Sequence, residues 1–128
     1  MQVSDAAAPA TTRAARPNSR HQRRSACPVA CSLDLLGDRW TLLLIRDLLR
    51  GKSRYGEFLA AGEGIPTNIL AERLKRLEQA GVISSAPYGG HSRRKTYQLT
   101  EAGRALATAV RALRDWGLAH VPDTRAPD

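Results

Sequence analysis

The stretch GIPTNILAERLKRLEQAGVI, residues 64–83, has the apolar spacing of a helix that packs one face against a core. With Leu70 at zero on a helical wheel, Leu74 and Leu77 lie within about 40° of it, at roughly 100° per residue. The residues that should point away from this face are polar or charged: Asn68, Glu72, Lys75, Arg76 and Gln79. Taken alone, the pattern fits an ordinary amphipathic surface helix as well as a helix whose outer face binds a partner.

Three helical segments precede this stretch. The sequence CPVACSLDLLG predicts a first helix, with Pro28 at its first position and Gly37 at its end. Asp38 is expected to cap a second helix within RWTLLLIRDLLRG, which is apolar over most of its surface and therefore central to the core. A third, short helix is predicted in RYGEFLAAG. Pro66 or Thr67 then begins the helix of the quoted stretch.

Two strands and a long helix follow the quoted stretch. The segments VISSAP (82–87) and KTYQLT (95–100) are predicted strands of a hairpin, or wing, whose tip is predicted at 90–95. Thr100 is expected to cap one long last helix. Small and apolar residues form a stripe along one side of that helix: Ala102, Leu106, Ala109, Val110, Leu113 and Trp116.

The order of these segments predicts the fold class. A short helix joined to a longer one by a glycine-containing turn is a helix-turn-helix, and a hairpin behind it makes the motif a winged one. We therefore predict a mainly α fold with a small β-hairpin. Residues 1–26 are predicted to be a disordered basic tail, because they contain almost no large apolar side chains. Residues 27–120 are predicted to form the winged helix-turn-helix domain, and residues 121–128 a flexible C-terminus.

Positive charge is concentrated in two parts of the chain. The formal net charge is +8. Residues 50–95 hold nine Lys or Arg against four Glu, and residues 1–26 hold five Arg against one Asp. A basic patch on one module is typical of a nucleic-acid binder, although a solubilising surface would have the same composition. No apolar run has the length of a membrane span and the N-terminus lacks the apolar core of a signal peptide, so we expect a cytoplasmic protein outside the membrane.

The helix of the quoted stretch would meet base edges with its first turn, as a recognition helix does. Thr67 and Asn68 occupy that turn, and hydroxyl and amide groups there can hydrogen-bond to bases. Lys75, further along the outer face, is also predicted to enter the groove. Arg76 is predicted to contact phosphate.

Five further cations are candidates for contact with the DNA backbone. Arg73 lies on the flank of the helix, so it could contact phosphate or bond Glu57 or another acid within the motif. The other four lie at the start of the preceding helix and at the predicted wing tip: Arg54, Arg93, Arg94 and Lys95.

No segment has a pattern that indicates catalysis or metal binding. The chain contains no G-x-S-x-G, P-loop or paired-carboxylate arrangement. Its three histidines are scattered without ligand spacing: His21, His91 and His120. Cys27 and Cys31 cannot build a four-ligand zinc site by themselves. We predict that the chain is not an enzyme and binds no metal or cofactor.

Five segments occur in a specific order: CPV, LDLLGDRWTLLLIRDLLRG, RYGEFL, GIPTNILAERLKRLEQAGVI and YQLTEAGRAL. Together they resemble the HxlR-type family of bacterial winged-helix transcriptional regulators, over about residues 27–117. The resemblance implies a homodimer, built from the first and last helices, that binds a pseudo-palindromic operator with half-sites about one helical turn apart. The chain departs from many relatives at Pro66, where Ser is common, and in its more basic wing.

Cys27 stands in the CPV position, where the family commonly has a cysteine that resembles a thiol switch for oxidants, quinones or aldehydes. At the N-terminus of a helix the dipole favours the thiolate, which raises reactivity. Cys31 lies one turn further on. A bridge between residues four apart on an intact helix would be strained, so an intersubunit disulfide or a thiol adduct is expected instead. The alternative is that both cysteines are small apolar fillers of the dimer seam.

Two other classes of function remain open. A nonspecific nucleoid or RNA-associated protein would use the same basic patch, but its affinity would fall with salt in parallel on every probe. A small thiol enzyme acting through CPVAC would need turnover, and its spacing is not the C-x-x-C of disulfide oxidoreductases. The sequence favours a homodimeric, sequence-specific regulator whose partners are operator DNA and an oxidant or small-molecule effector.

Overall fold

The computed structural model of the chain describes residues 25–126, and for 91–93 it describes the backbone alone. The elements, in order, are α1 (Pro28–Leu36), α2 (Thr41–Leu49), α3 (Tyr55–Leu59), α4 (Thr67–Gln79), β1 (Ile83–Tyr88), β2 (His91–Leu99), α5 (Glu101–Arg104) and α6 (Ala107–His120). The two strands pair antiparallel. The predicted mainly α fold with a small hairpin is confirmed. The predicted basic tail falls almost entirely on residues 1–24, outside the described residues.

The core lies where α2, α3, α4 and the hairpin meet. Its buried apolar residues come from these elements and the turns between them: Leu44, Ile45, Leu48, Phe58, Ile65, Leu70, Leu74, Leu77, Val82, Ile83 and Leu99. The inner face predicted for α4 is confirmed, because Leu70, Leu74 and Leu77 are at most 2% exposed. Burial of side chains of this size contributes about 1.5–3 kcal/mol each.

Asp38 forms the corner between α1 and α2. Its Oδ1 accepts hydrogen bonds from the backbone amides of Trp40 (2.8 Å) and Thr41 (3.0 Å). The predicted capping role of Asp38 is therefore confirmed, although α2 begins only at Thr41. Gly37 ends α1, and its amide donates to the Leu33 carbonyl (2.8 Å). The corner thus places the Asp38 carboxylate between α1 and α2.

The hairpin turns at Gly89 and Gly90, which have φ values of 64° and 75°. Two consecutive residues with positive φ are typical of the two-residue type I′ turn, which glycine adopts without strain. The prediction of a wing tip at 90–95 is therefore wrong. The cations assigned to that tip lie on strand β2 instead: Arg93, Arg94 and Lys95.

Strand β2 has a bulge beside this turn. Pro87 pairs with Lys95, whereas Tyr88 pairs with His91, so residues 92–94 are extra residues in the pairing register. Pro87 has no amide hydrogen to donate, and proline in sheets is confined to edges and bulges. The bulge therefore places the backbone of residues 92–94 next to the tip rather than at it.

The last helix is interrupted, and the prediction of one long helix is wrong. Thr100 caps α5 as expected, because its Oγ1 accepts from the Gly103 amide (3.2 Å). Gly103 is buried, and a Cβ at this position would collide with the backbone oxygen of Val82. The Leu106 amide donates back only three residues, to the Gly103 carbonyl (3.0 Å), so the helical register breaks before α6. Gly103 thus lets α5 approach the hairpin closely, and the helix is interrupted just after it, at residues 105–106.

Helices α1 and α6 leave large apolar side chains in solvent. Neither helix has a buried residue, although Leu106 and Val110 pack against the edge of the core. We call the large exposed apolar residues of α1 and of one side of α6, with the residue after α6, the α1/α6 apolar face: Val29, Leu33, Leu113, Trp116 and Val121. Leu118 is also exposed, but it lies on the other side of α6. Among residues 25–126, no helix is both long and apolar enough to cross a lipid bilayer.

Candidate nucleic-acid interface

The first turn of α4 is open to solvent. Thr67 and Asn68 are both exposed, and so is Lys75 about two turns further on. Pro66 precedes the helix with an extended backbone, and its side chain makes no capping hydrogen bond. Uncapped N-terminal amides and the helix dipole together favour anions such as phosphate. The three side chains point outward as predicted, and their contact with DNA stays a prediction.

The turn before α4 is held by an ion-pair cluster around Arg46. The Arg46 guanidinium binds both carboxylate oxygens of Glu63 (2.8 and 3.2 Å) and one oxygen of the buried Asp47 (2.9 and 3.1 Å). The hydrogen bond from Arg46 lowers the pKa of Glu63, and the bond to Glu63 raises the pKa of Arg46. Bidentate pairing of this kind is directional. It ties the turn of the helix-turn-helix to α2.

The segment before α3 is joined to the wing. The Ser53 carbonyl accepts a hydrogen bond from the Tyr97 amide (2.7 Å), and Arg54 forms an isolated backbone bridge with Thr96. The guanidinium carbon of Arg54 lies 3.8 Å from the ring centroid of Tyr88, a cation–π contact. Arg54 remains exposed. The structure therefore places this candidate for contact with the DNA backbone next to the wing.

Arg76 turns inward rather than outward. Its Nη2 donates to Asp38 Oδ2 and to the Leu35 carbonyl, both at 2.9 Å. The prediction that Arg76 points away from the core beside Lys75 is therefore wrong. The physical reason is the half-buried carboxylate at the α1–α2 corner, which draws the guanidinium across the flank of α4.

Arg73 also meets this carboxylate. Its Nε lies 3.2 Å from Asp38 Oδ1 as an ion pair that is not aligned for a hydrogen bond, and its Nη1 bonds Glu72. Of the two alternatives left open for Arg73, an acid within the motif is thus the partner. That acid is Asp38 together with Glu72, not Glu57.

A third side chain completes this group. The hydroxyl of buried Thr41 donates to Asp38 Oδ2 (2.5 Å). Burial alone would raise the pKa of Asp38, but hydrogen bonds from the Thr41 hydroxyl and the Trp40 amide, with the Arg73 guanidinium beside the carboxylate, outweigh it and hold the pKa well below its usual range. The carboxylate is therefore ionised at neutral pH. We call Asp38, Thr41, Arg73 and Arg76 the Asp38 cluster.

The remaining basic candidates lie on the wing. Arg94 and Lys95 are exposed on β2, while only the backbone of Arg93 is described. Their contact with the DNA backbone stays a prediction. In the described residues, no three His, Cys, Asp or Glu side chains come close enough together to hold a metal ion.

Two tyrosines were missed by sequence reasoning. The Tyr55 hydroxyl donates to the Thr67 carbonyl (2.9 Å) and so ties α3 to the first turn of α4, and Tyr88 carries the cation–π contact. Neither had a local signal. A shared partner for Arg73 and Arg76 did have a local signal in the sequence, because residues three apart lie on the same side of a helix.

Cys27 and Cys31 are both free thiols near the start of α1. Cys27 is exposed at the N-cap position, where its amide donates to Ser25 Oγ (2.9 Å). Cys31 is half-buried, and its Sγ donates to the Ser25 carbonyl (3.1 Å). Access to reagents in solution therefore favours Cys27.

Comparison with known proteins agrees with this geometry. A family model, HxlR-like helix-turn-helix, matches residues 35–125. An uncharacterized HTH-type transcriptional regulator of Mycobacterium tuberculosis is 40% identical over 99 residues, which is 77% of this chain and 62% of that relative. The chain thus spans about three fifths of that relative's length.

Solved structures share the fold. PA1607 superposes with a TM-score of 0.73 and 40% identity, over 81% of this chain and 73% of its own. The redox regulator HypR, in its reduced form, superposes with a TM-score of 0.68 and 30% identity, over 75% and 95%. The matched family is one of helix-turn-helix regulators, so the expectation of a non-enzyme is confirmed at the level of the family. The chain belongs to the HxlR-like helix-turn-helix family.

Proposed function

We propose that the chain is a sequence-specific DNA-binding transcriptional regulator that acts as a homodimer. The observation that carries the proposal is the open first turn of α4, with Thr67 and Asn68 exposed. The Asp38 cluster joins this helix to the α1–α2 corner, and the Arg46–Glu63 pair joins the turn before it to α2. The names of the M. tuberculosis relative and of HypR, both regulators, support it. DNA as the partner implies action in the bacterial cytoplasm.

In this proposal α4 lies in the major groove, which has the width of an α-helix. Thr67 and Asn68 hydrogen-bond to base edges, and Lys75 enters the groove behind them. The cations around the wing contact phosphates: Arg54, Arg93, Arg94 and Lys95. Arg73 and Arg76 are left out of this set because Asp38 engages their guanidinium groups.

The α1/α6 apolar face is the proposed dimer surface. Trp116 is 60% exposed and Leu113 is 55% exposed, although both belong to residue types that stabilise a fold when buried. Several large apolar side chains left exposed on two helices are typical of an interaction site. A second copy of the chain would cover it symmetrically, and the two-fold axis would present two α4 helices to half-sites one helical turn apart.

Cys27 is the proposed sensor of oxidants. It is exposed at the N-terminus of α1, beside the apolar face, and the redox regulator HypR shares the fold. In the proposed step the Cys27 thiols of two protomers lose two protons and two electrons to an oxidant such as diamide, which becomes the hydrazine, and an S–S bond joins the protomers. The bond would shift the two α1 helices and alter the spacing of the recognition helices.

The experiment is fluorescence anisotropy of the reduced protein on the intergenic DNA upstream of its own gene, at physiological salt with excess competitor DNA. Binding that survives the competitor supports a specific regulator. Binding that disappears into the competitor on this probe, and on duplexes enriched by the protein from a random-sequence pool, would favour a nonspecific nucleoid or RNA-associated protein.

The sensor is tested on the same probe with diamide. We expect the wild-type protein to release DNA on oxidation, whereas Cys27→Ser binds DNA and ignores diamide. Cys31→Ser is the matched control and should respond like the wild type. A Cys27→Ser variant that still responds would remove Cys27 from this role.

A further inference from the structure

The Asp38 cluster joins three parts of the fold through one carboxylate. Asp38 lies at the α1–α2 corner, Thr41 begins α2, and Arg73 and Arg76 belong to α4. Arg76 also donates to the Leu35 carbonyl in the last turn of α1. The cluster is therefore a polar link between the candidate recognition helix and the helix that carries Cys27 and part of the α1/α6 apolar face.

Stability alone is a weak account of this cluster. Asp38 is half-buried, and the Nε atoms of Arg73 and Arg76 are buried without an aligned hydrogen-bond acceptor in the described part of the chain. A buried donor left unpaired lowers the stability of the fold. Buried ion pairs often add little net stability, and their best-attested use is to fix the register of packed elements.

The Asp38 cluster constrains the orientation of α4 in a way that the apolar side of this helix does not. The buried leucines of α4 pack through non-directional contacts, whereas charge-assisted hydrogen bonds have preferred distances and angles. Arg73 and Arg76, three residues apart, lie on one side of the helix and reach the same carboxylate. The directional bonds are those of Arg76, to Asp38 and to the Leu35 carbonyl, and Arg73 adds an ion pair on the same side. Contacts on one side of the helix oppose rotation of α4 about its axis, and with it a change in the direction of the exposed first turn.

We propose that Asp38 is a positioning residue: it sets the rotation of α4 against the α1–α2 corner, and thereby discrimination between DNA sequences, without contacting DNA. The inference rests on the proposed function, since it names what holds the same interface in place. In this inference the guanidinium groups of Arg73 and Arg76 bind Asp38 and do not contact DNA phosphates.

The first test is Asp38→Asn, measured on a duplex that the wild-type protein enriches from a random-sequence pool and on a scrambled duplex of the same composition. Asn keeps an oxygen for the Trp40 and Thr41 amides but loses the charge that holds the arginines. We expect the ratio of the two affinities to fall about tenfold. Affinity for the scrambled duplex should be kept or rise, because the protein loses one negative charge and its net charge becomes more positive. A merely destabilised variant would lose both affinities in parallel, and that result would overturn the proposal.

Asp123→Asn is the matched control. It makes the same substitution and the same change in charge at an exposed residue whose φ of 66° Asn tolerates. We expect the affinity ratio to stay within about twofold of the wild type. An equal fall in both variants would mean that charge alone acts, and Asp38 would have no positioning role.

Salt dependence separates positioning from direct phosphate contact. If Arg76 acts through Asp38, Arg76→Gln lowers the affinity ratio as Asp38→Asn does, and the double variant loses no more than either single one. The slope of log affinity against log salt should then match that of the wild type. A slope lowered by about one in Arg76→Gln, with additive losses in the double variant, would show a phosphate contact instead and refute the assignment.

Amide hydrogen exchange tests the positioning of α4 without DNA. In Asp38→Asn we expect the α4 amides to exchange about tenfold faster relative to the β1 and β2 amides, and in Asp123→Asn we expect no such change. If the wild-type protein enriches no sequence, the proposed function fails, but this comparison still stands. Equal α4 exchange in the wild type and Asp38→Asn would overturn the inference by itself.

Discussion

Helices α4 and α6 carry the same kind of apolar stripe and have nearly the same length, 13 and 14 residues. In α4 the stripe is buried against other elements of the same chain, and Leu74 is 2% exposed. In α6 only the first turns reach the core, and beyond Val110 the stripe meets solvent. Periodicity therefore indicates which side of a helix is covered, but not whether the same chain covers it. The comparison assigns stability to α4, whereas association through α6 is the role proposed for its exposed stripe.

The largest expected effect comes from Leu74→Ala. Removing a fully buried leucine should lower the free energy of unfolding by about 2–5 kcal/mol at every protein concentration. Leu113→Ala, the matched substitution on α6, should cost about 0.5 kcal/mol or less in dilute protein and more as concentration rises, because only a dimer covers it. Urea unfolding at several protein concentrations measures both. A concentration-independent loss in Leu113→Ala would break the comparison.

Leu113→Asp places a charge in the proposed dimer surface. We expect a monomer by light scattering, since an unpaired carboxylate in an apolar interface weakens association by about a hundredfold or more. Thr108→Asp adds the same charge at an exposed position of α6 outside the apolar face, and should leave the dimer intact. A dimer that persists in Leu113→Asp would refute this placement of the interface.

Two glycines near the last helix sharpen the comparison further. Gly103→Ala should lower the free energy of unfolding by about 1–3 kcal/mol, because its Cβ meets the Val82 carbonyl and the Leu99 side chain. Gly117→Ala, within α6, meets no atom within 4 Å and should stabilise by about 0.5–1 kcal/mol through helix propensity. Thermal unfolding distinguishes the two. Equal effects would contradict the close packing of α5 on the hairpin.

The smallest expected effect is on pH dependence. The pKa of Asp38 is depressed in the folded state, so its contribution to stability is present above the ordinary carboxyl pKa and is lost as pH falls below it. Asp38→Asn should therefore flatten the acid limb of the stability curve by less than the one-proton limit of about 1.4 kcal/mol per pH unit, because the carboxylate is partly exposed to solvent, while Glu63 keeps part of the slope. Urea unfolding between pH 5 and pH 2 tests this. An unchanged acid limb would mean that Asp38 titrates normally.

Sequence reasoning was accurate where the signal is local. The buried leucines of α4, the cap from Asp38 and the start of α1 at Pro28 were predicted, because helical periodicity and capping depend on residues within one or two turns. It failed at the wing tip, which Gly89 and Gly90 form by themselves. The hairpin pattern did not reveal that the basic segment belongs to a bulge.

The orientation of Arg76 shows the other kind of failure. On a helical wheel Arg76 belongs to the outer face, and its i,i+3 spacing with Arg73 was the available hint of a shared partner. That partner, Asp38, lies 38 residues earlier in the chain. A wheel contains no information about which other helix approaches, so it could not distinguish an anchor from a phosphate contact.

The amino-acid order was enough to define the helical segments, the hairpin, the buried side of α4 and the outward side chains Thr67, Asn68 and Lys75. These follow from side-chain periodicity and from hydrogen bonds between near neighbours. Tertiary structure alone decided the partners of Arg73 and Arg76, the close approach of Gly103 to the hairpin and the exposure of the α6 stripe. The physical reason is that each depends on contacts between residues distant in the chain, whose geometry exists only once the helices have packed together.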